Sequence, residues 1–160
     1  MAAPAHNLHM NKHAAGRLIF ICGLPGSGKT TVARALQKQF DAIRFCPDEW
    51  MQALSLDIYD ERRAKIEALQ WELARGLLHG LIVVVEWGTW GRPERDALRV
   101  GARELGAAVE LHYVHAFEEV LFERIHRRGM ENPPITKDDL SRWLEIRPDI
   151  CHSPQRPGLD

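Results

Sequence analysis

Residues 17–31 read Arg17-Leu18-Ile19-Phe20-Ile21-Cys22-Gly23-Leu24-Pro25-Gly26-Ser27-Gly28-Lys29-Thr30-Thr31, and this stretch decides the fold. Arg17 to Cys22 is a short, mostly apolar run of the kind that forms a buried strand. Gly23 to Thr30 then matches G-x-x-x-x-G-K-[ST] in full. Beyond it Val32, Ala33, Leu36 and Phe40 recur at helical spacing, so a helix is expected from Gly28 to Phe40. A strand, a glycine-rich turn and a helix in that order make a phosphate cradle. Glycines let the backbone curl until successive N–H groups converge on phosphate oxygens, and the helix N-terminus adds unpaired donors and partial positive charge. Gly23, Leu24, Pro25, Gly26, Ser27, Gly28, Lys29, Thr30 and Thr31 are therefore expected to hold a nucleoside triphosphate, ATP with Mg²⁺. Lys29 would reach the β- and γ-phosphates, and the Thr30 hydroxyl would ligate the metal.

Working outward, strands and helices alternate. Ala42 to Phe45 reads as a second strand, followed by Cys46-Pro47-Asp48, with Asp48 capping a brief helix that starts at Glu49 and Trp50. The longest helix is expected from about Asp60 to His79, with Ile66, Leu69, Leu73 and Leu77 as its apolar stripe and Gly80 as a left-handed cap. LIVVVEW, residues 81–87, reads as a strand buried on both faces. Pro93 suits the first turn of a helix that carries Leu98, Ala102 and Leu105 and ends at Gly106; Val109 to Val114 is a fourth strand. The next helix has Glu118 and Glu119 in its first turn, Arg127 and Arg128 in its last and Gly129 beyond, charges that complement its dipole. Gly129 to Ile135 is a loop, and Thr136 with Asp139 resembles a capping box opening a final helix with Leu140, Trp143 and Leu144.

This alternation predicts an α/β fold: a three-layer P-loop NTPase sandwich with a small, mostly parallel sheet of about four to five strands, helices on both faces and a helical lid. One domain spans residues 17–150 and includes the lid at about 124–137, after a flexible leader at 1–16 and before an irregular tail at 151–160.

With 45% hydrophobic residues, the 160-residue chain can bury a core. Its net charge is −1, which disfavours a protein whose main business is gripping duplex nucleic acid, although a local basic patch could still guide a short oligonucleotide. No apolar run approaches the roughly 18 residues that span a bilayer, and the first sixteen residues lack the apolar stretch of a secretory signal. Three scattered cysteines without metal-ligand spacing fit a reduced, cytoplasmic protein, and His6, His9 and His13 are read as part of the leader.

Several residues beyond the loop carry possible chemistry. Asp48 ends the second strand, and ligands gather at the carboxyl ends of parallel strands. It is a candidate general base toward an acceptor hydroxyl, with Glu49 as the substitute and a plain helix cap as the alternative. Glu86, after four aliphatic residues, is a candidate for Mg²⁺ or substrate, or a glutamate facing solvent past the sheet edge. Arg124 and Arg128, four residues apart, could stabilise charge on the transferred phosphoryl group, with Arg127 as a third candidate; arginines at a helix C-terminus are also common for dipole reasons alone. Trp87 and Trp90 follow the third strand, where a flat face could stack on an acceptor, whereas Trp71 reads as core.

Taken together, RLIFICGLPGSGKTT, FCPDEW, VVVEWGTWGRPERDALR, FERIHRRG and PITKDDLSRW resemble the AAA-type P-loop kinases of the polynucleotide kinase, zeta-toxin and chloramphenicol phosphotransferase neighbourhood, over about residues 17–147. The resemblance implies ATP, Mg²⁺ and transfer of the γ-phosphate to a hydroxyl. It aligns Asp48 with the acidic residue that serves as general base in several relatives, and the RIHRRG stretch with their arginine-bearing lid. Glu86 departs from the pattern, since close relatives usually carry Asp there. The expected acceptor is a small-molecule hydroxyl, as in a nucleoside, sugar or antibiotic. The alternatives are a 5′-hydroxyl polynucleotide kinase and a nucleotide-dependent switch with little turnover.

Overall fold

The computed structural model describes residues 15–88, 91–129 and 134–145, with the side chains of residues 143–145 excepted. The expected leader (apart from residues 15 and 16), tail, Trp90 and the middle of the lid therefore lie outside the described residues.

Four strands form the sheet: β1 (Arg17–Cys22), β2 (Ile43–Phe45), β3 (Ile82–Val85) and β4 (Ala108–Tyr113). They lie in the order β2-β3-β1-β4, and every pairing is parallel. Arg17 is level with Ile82 and Ala108, Cys22 with Tyr113, and Phe45 with Val85, so all the carboxyl ends emerge at one edge. β1 and β3 are central, which explains their apolar sequences. Leu18, Phe20, Val83 and Val85 point to one face, while Ile19, Ile21 and Val84 point to the other.

The helices are α1 (Lys29–Phe40), α2 (Pro47–Ala53), α3 (Arg63–Leu77), α4 (Arg92–Glu104), α5 (Glu118–Arg128) and α6 (Lys137–Glu145). α1 packs on one face of the sheet through Ala33, Val32 and Leu36. Ala74, Leu98 and Ala102 carry α3 and α4 onto the other face. Leu121 and Ile125 of α5 join Leu140 of α6 around Leu24, a smaller cluster built directly against the phosphate loop. The three-layer arrangement is the one expected.

Three local readings need correction. Asp48 is not the cap of α2: Cys46 holds the cap position, Pro47 opens the helix, and Asp48 sits in its first turn. α3 begins at Arg63 rather than near Asp60, because the Asp60 carboxylate accepts from the Arg62 backbone N–H and guanidinium and so builds a turn. The stripe of α3 is also displaced. Leu69 and Leu73 are exposed, and Ile66, Gln70 and Ala74 face inward. The C-terminal signals fare better: α5 ends on Gly129 at φ 61°, and Thr136 and Asp139 form a reciprocal capping box before α6.

Candidate active site

At the carboxyl edge of the sheet, one cavity of about 850 Å³ is lined by the phosphate loop, Asp48, Arg63, Glu86, Gly88, Arg124 and Arg128. The loop leaves β1 and turns into α1 through glycines in left-handed conformations. Gly26 has φ 77°, and a Cβ there would stand 3.1 Å from the Leu121 carbonyl oxygen, so the loop lies flush on α5.

Lys29 is half-buried, not the exposed side chain expected of a surface cation. Its Nζ donates to the Gly23 and Leu24 carbonyls, both at 2.9 Å. Burial lowers its pKa to about 8, against the opposing pull of Asp48 and Glu86. Ser27 Oγ is buried and makes no hydrogen bond to the described residues. An orphaned hydroxyl beside a cation that desolvation destabilises suits a loop built for a polyanion.

Glu86 is buried at 5% exposure, so the solvent-facing alternative is wrong. One carboxylate oxygen accepts from Thr30 Oγ1. The other lies 2.5 Å from Arg44 Nη1. Thr30 and Glu86, the two expected Mg²⁺ residues, are therefore in direct contact at the foot of the loop. A hydroxyl and a carboxylate are oxygen donors of the kind Mg²⁺ prefers.

Arg44 went unnoticed in the sequence. It contacts Glu86, Glu49 (Nη2 to Oε1, 2.5 Å) and Gln37 (Nε to Oε1, 3.1 Å). Burial alone would depress its guanidinium, but hydrogen bonds to Glu49 and Glu86 hold it firmly protonated. The signal was there: an arginine inside a three-residue strand must find a carboxylate, and Glu86 ends the neighbouring strand. Glu49, held by Arg44 and Arg34, has its pKa lowered by those partners and does not line the cavity.

Asp48 does line it, with its side chain 44% exposed. Arg63 Nη1 donates to its Oδ1 at 2.6 Å and to the Ile58 carbonyl at 3.1 Å. Arg63 was also missed, because it opens a helix whose beginning was placed too early. Arg124 Nη1 donates to the Gly26 carbonyl at 3.1 Å, so α5 itself delivers this arginine to the loop. Arg128 lines the same cavity, whereas Arg127 pairs with Glu123 on the surface.

Trp87 is not an open stacking platform. It is 8% exposed within the core, and its Nε1 donates to Gln70 Oε1 at 3.0 Å. Trp71, expected as core, is half-buried against it. Among the described residues no cluster of three or more His, Cys, Asp or Glu could hold a metal by itself, and no helix is long and apolar enough to cross a membrane.

Comparison with known proteins agrees with this architecture. Residues 18–147 match the model of the AAA domain. The chain is 30% identical over 133 residues to the UPF0200 protein PAE1629 of Pyrobaculum aerophilum, covering 74% of this chain and 70% of that protein. Among solved structures, a gluconokinase from Sinorhizobium meliloti 1021 superposes with a TM-score of 0.60 at 23% identity, covering 87% of this chain and 79% of that one. A sugar kinase from Janibacter sp. HTCC2649 gives 0.58 at 19% identity, with 90% and 83% covered. The Pnkp1/Rnl/Hen1 RNA repair complex gives 0.68 at 22% identity, with 85% of this chain but only 45% of that one covered. These structural likenesses bear on the fold alone. With the phosphate loop and the family match over residues 18–147 in accord, the chain belongs to the AAA domain family.

Proposed function

We propose that the protein is an ATP-dependent kinase that transfers the γ-phosphate to a hydroxyl of a small molecule. The observation that carries this reading is the convergence on one cavity of the phosphate loop, the partly exposed Asp48 carboxylate oriented by Arg63, and two arginines (Arg124 and Arg128). Asp48 would accept the acceptor's proton as its oxygen bonds to the γ-phosphorus. The bond from that phosphorus to the β,γ-bridging oxygen breaks, and ADP leaves. The phosphate-loop amides and Lys29 would neutralise the phosphates, and the arginine guanidinia would hold the oxygens of the group in flight. Thr30 and Glu86 would hold Mg²⁺, which supplies charge neutralisation to the phosphates.

Labelled ATP offered with nucleosides, sugars, aminoglycosides and oligonucleotides tests the reading, with Lys29→Ala as the control. Acceptor-dependent label transfer that Lys29→Ala abolishes is expected. Slow hydrolysis that ignores every acceptor would point instead to a nucleotide switch, and transfer only to a 5′-hydroxyl end would point to a polynucleotide kinase.

A further inference from the structure

A second cleft, of about 610 Å³, lies between α3 and α4. Trp71 and Trp87 supply its indole lining, and Glu61, Glu67 and Glu94 its carboxylates. Arg63 and Gly88 line both this cleft and the phosphate-loop cavity, so the two spaces adjoin beside Asp48.

Both rings are fixed in place. A Cβ on Gly101 would fall 2.8 Å from Trp71 Cζ2, so the absence of a side chain there lets this indole lie flush on α4. Trp87 is held by its bond to Gln70. Rigid aromatic surface costs little ordering entropy when a ligand docks. The charge is one-sided. Among the described residues Arg63 is the single cationic residue of the lining, and it is already engaged by Asp48 at 2.6 Å and Glu67 at 2.9 Å. Burial pushes the Glu67 carboxyl up, opposed by Arg63 and reinforced by Glu94 and Asp48, so an added positive charge would relieve the site and an added negative one would not.

We propose that this cleft seats the phosphoryl acceptor and selects a hydroxyl compound with a flat apolar body and a protonated nitrogen. The inference rests on the kinase reading for the fate of the hydroxyl, which would reach Asp48 past Gly88. The ring would lie against the half-buried Trp71 indole, with buried Trp87 forming the cleft floor, and the cation would face Glu67 and Glu94, with its attraction to the Trp71 face adding to the carboxylate pairing. Sugar acids and oligonucleotides would bring negative charge against three carboxylates and be rejected.

The test is calorimetric binding to the full chain, without nucleotide, of three matched probes: 2-amino-3-phenylpropan-1-ol, its N-acetyl derivative and 3-phenyllactate. The amine should bind about tenfold or more tighter than the other two, with the advantage shrinking at high salt. Glu94→Gln, at an exposed position, and Glu67→Gln should each reduce that advantage. Lys29→Ala should leave it intact, because Lys29 does not line the cleft. Equal binding of all three probes, preference for the anion, no binding of the amine at millimolar concentration, or a preference that both Gln variants retain would overturn the inference. Label transfer confined to anionic acceptors would overturn it while leaving the kinase reading standing. Selective amine binding with no transfer to any acceptor would support the cleft and remove the kinase reading.

Discussion

Arg44 and Glu86 form a buried ion pair across adjacent strands, with Nη1 2.5 Å from Oε2 and side-chain exposures of 8% and 3%. The pair joins β2 to the residue that follows β3, and through Glu86 it reaches Thr30 on α1. One contact thus ties three elements together at the base of the candidate metal site.

Arg44→Met should destabilise the fold by about 3–5 kcal/mol, because it strands the Glu86 carboxylate in the interior. Adding Glu86→Gln should recover part of that loss by removing the orphaned charge. Urea unfolding of the single and double variants measures this. Additive losses would mean that the pair contributes no coupling.

Asp48→Asn keeps the shape of the side chain but cannot take a proton from an acceptor hydroxyl. Label transfer should fall by about 10²–10⁴-fold while ATP binding persists. The Arg63 contact at 2.6 Å orients the carboxylate toward the cavity, so Arg63→Gln should lower turnover as well, by less. A fall below about threefold in Asp48→Asn would move the role of base elsewhere.

The pKa of Lys29 gives a pH signature. Burial lowers it to about 8, and triphosphate oxygens would stabilise the charged form and raise it again. Nucleotide binding should therefore take up a proton above about pH 8, and affinity should weaken as pH rises through that value. For folding the sign follows from the same depression. Between pH 8 and the ordinary value of 10.5 the unfolded chain holds the proton more tightly, so this group's cost to stability is relieved as pH rises. Calorimetry at pH 8.5 in two buffers of different ionisation enthalpy reads the uptake, and Lys29→Ala should abolish it.

The phosphate loop was legible because its function is written in a contiguous stretch, Gly23 to Thr30, and local backbone geometry does the rest. The sheet was legible because β1 and β3 are apolar enough to be central. Arg44 and Arg63 were not, since their meaning depends on carboxylates 42 and 15 residues away. The stripe of α3 misled for a different reason. Gln70 takes the inward position by accepting from the Trp87 indole, so a polar residue occupies the core and rotates Leu69 and Leu73 outward. Periodicity weighs apolar character alone and cannot foresee a buried amide with a partner.

On the proposed kinase reading, Arg124 is the arginine best placed to meet a transferred phosphoryl group, because it already contacts the loop. α5 buries Leu121 and Ile125 against the loop's Leu24, and Arg124, exposed on the same helix, donates from its guanidinium to the Gly26 carbonyl at 3.1 Å. A Cβ on Gly28 would have Arg124 Nη1 as its neighbour at 3.9 Å, so the planar group lies beside the loop's glycines. Residues beyond Gly129 need not move for it to be there. Lysine in its place would keep the charge but lose the fork that grips two oxygens at once. Arg124→Lys should therefore lower kcat by about 10²–10³-fold, in the range seen when a donor to transition-state charge is removed, with ATP affinity nearly unchanged. The side chain is exposed, so the melting temperature should barely move. Arg127→Lys is the matched control. Its guanidinium pairs with Glu123 on the surface, and turnover should stay at the parent level. Single-turnover kinetics of the two variants decide the matter: an active Arg124→Lys would hand the role to Arg128, the other α5 arginine lining the cavity.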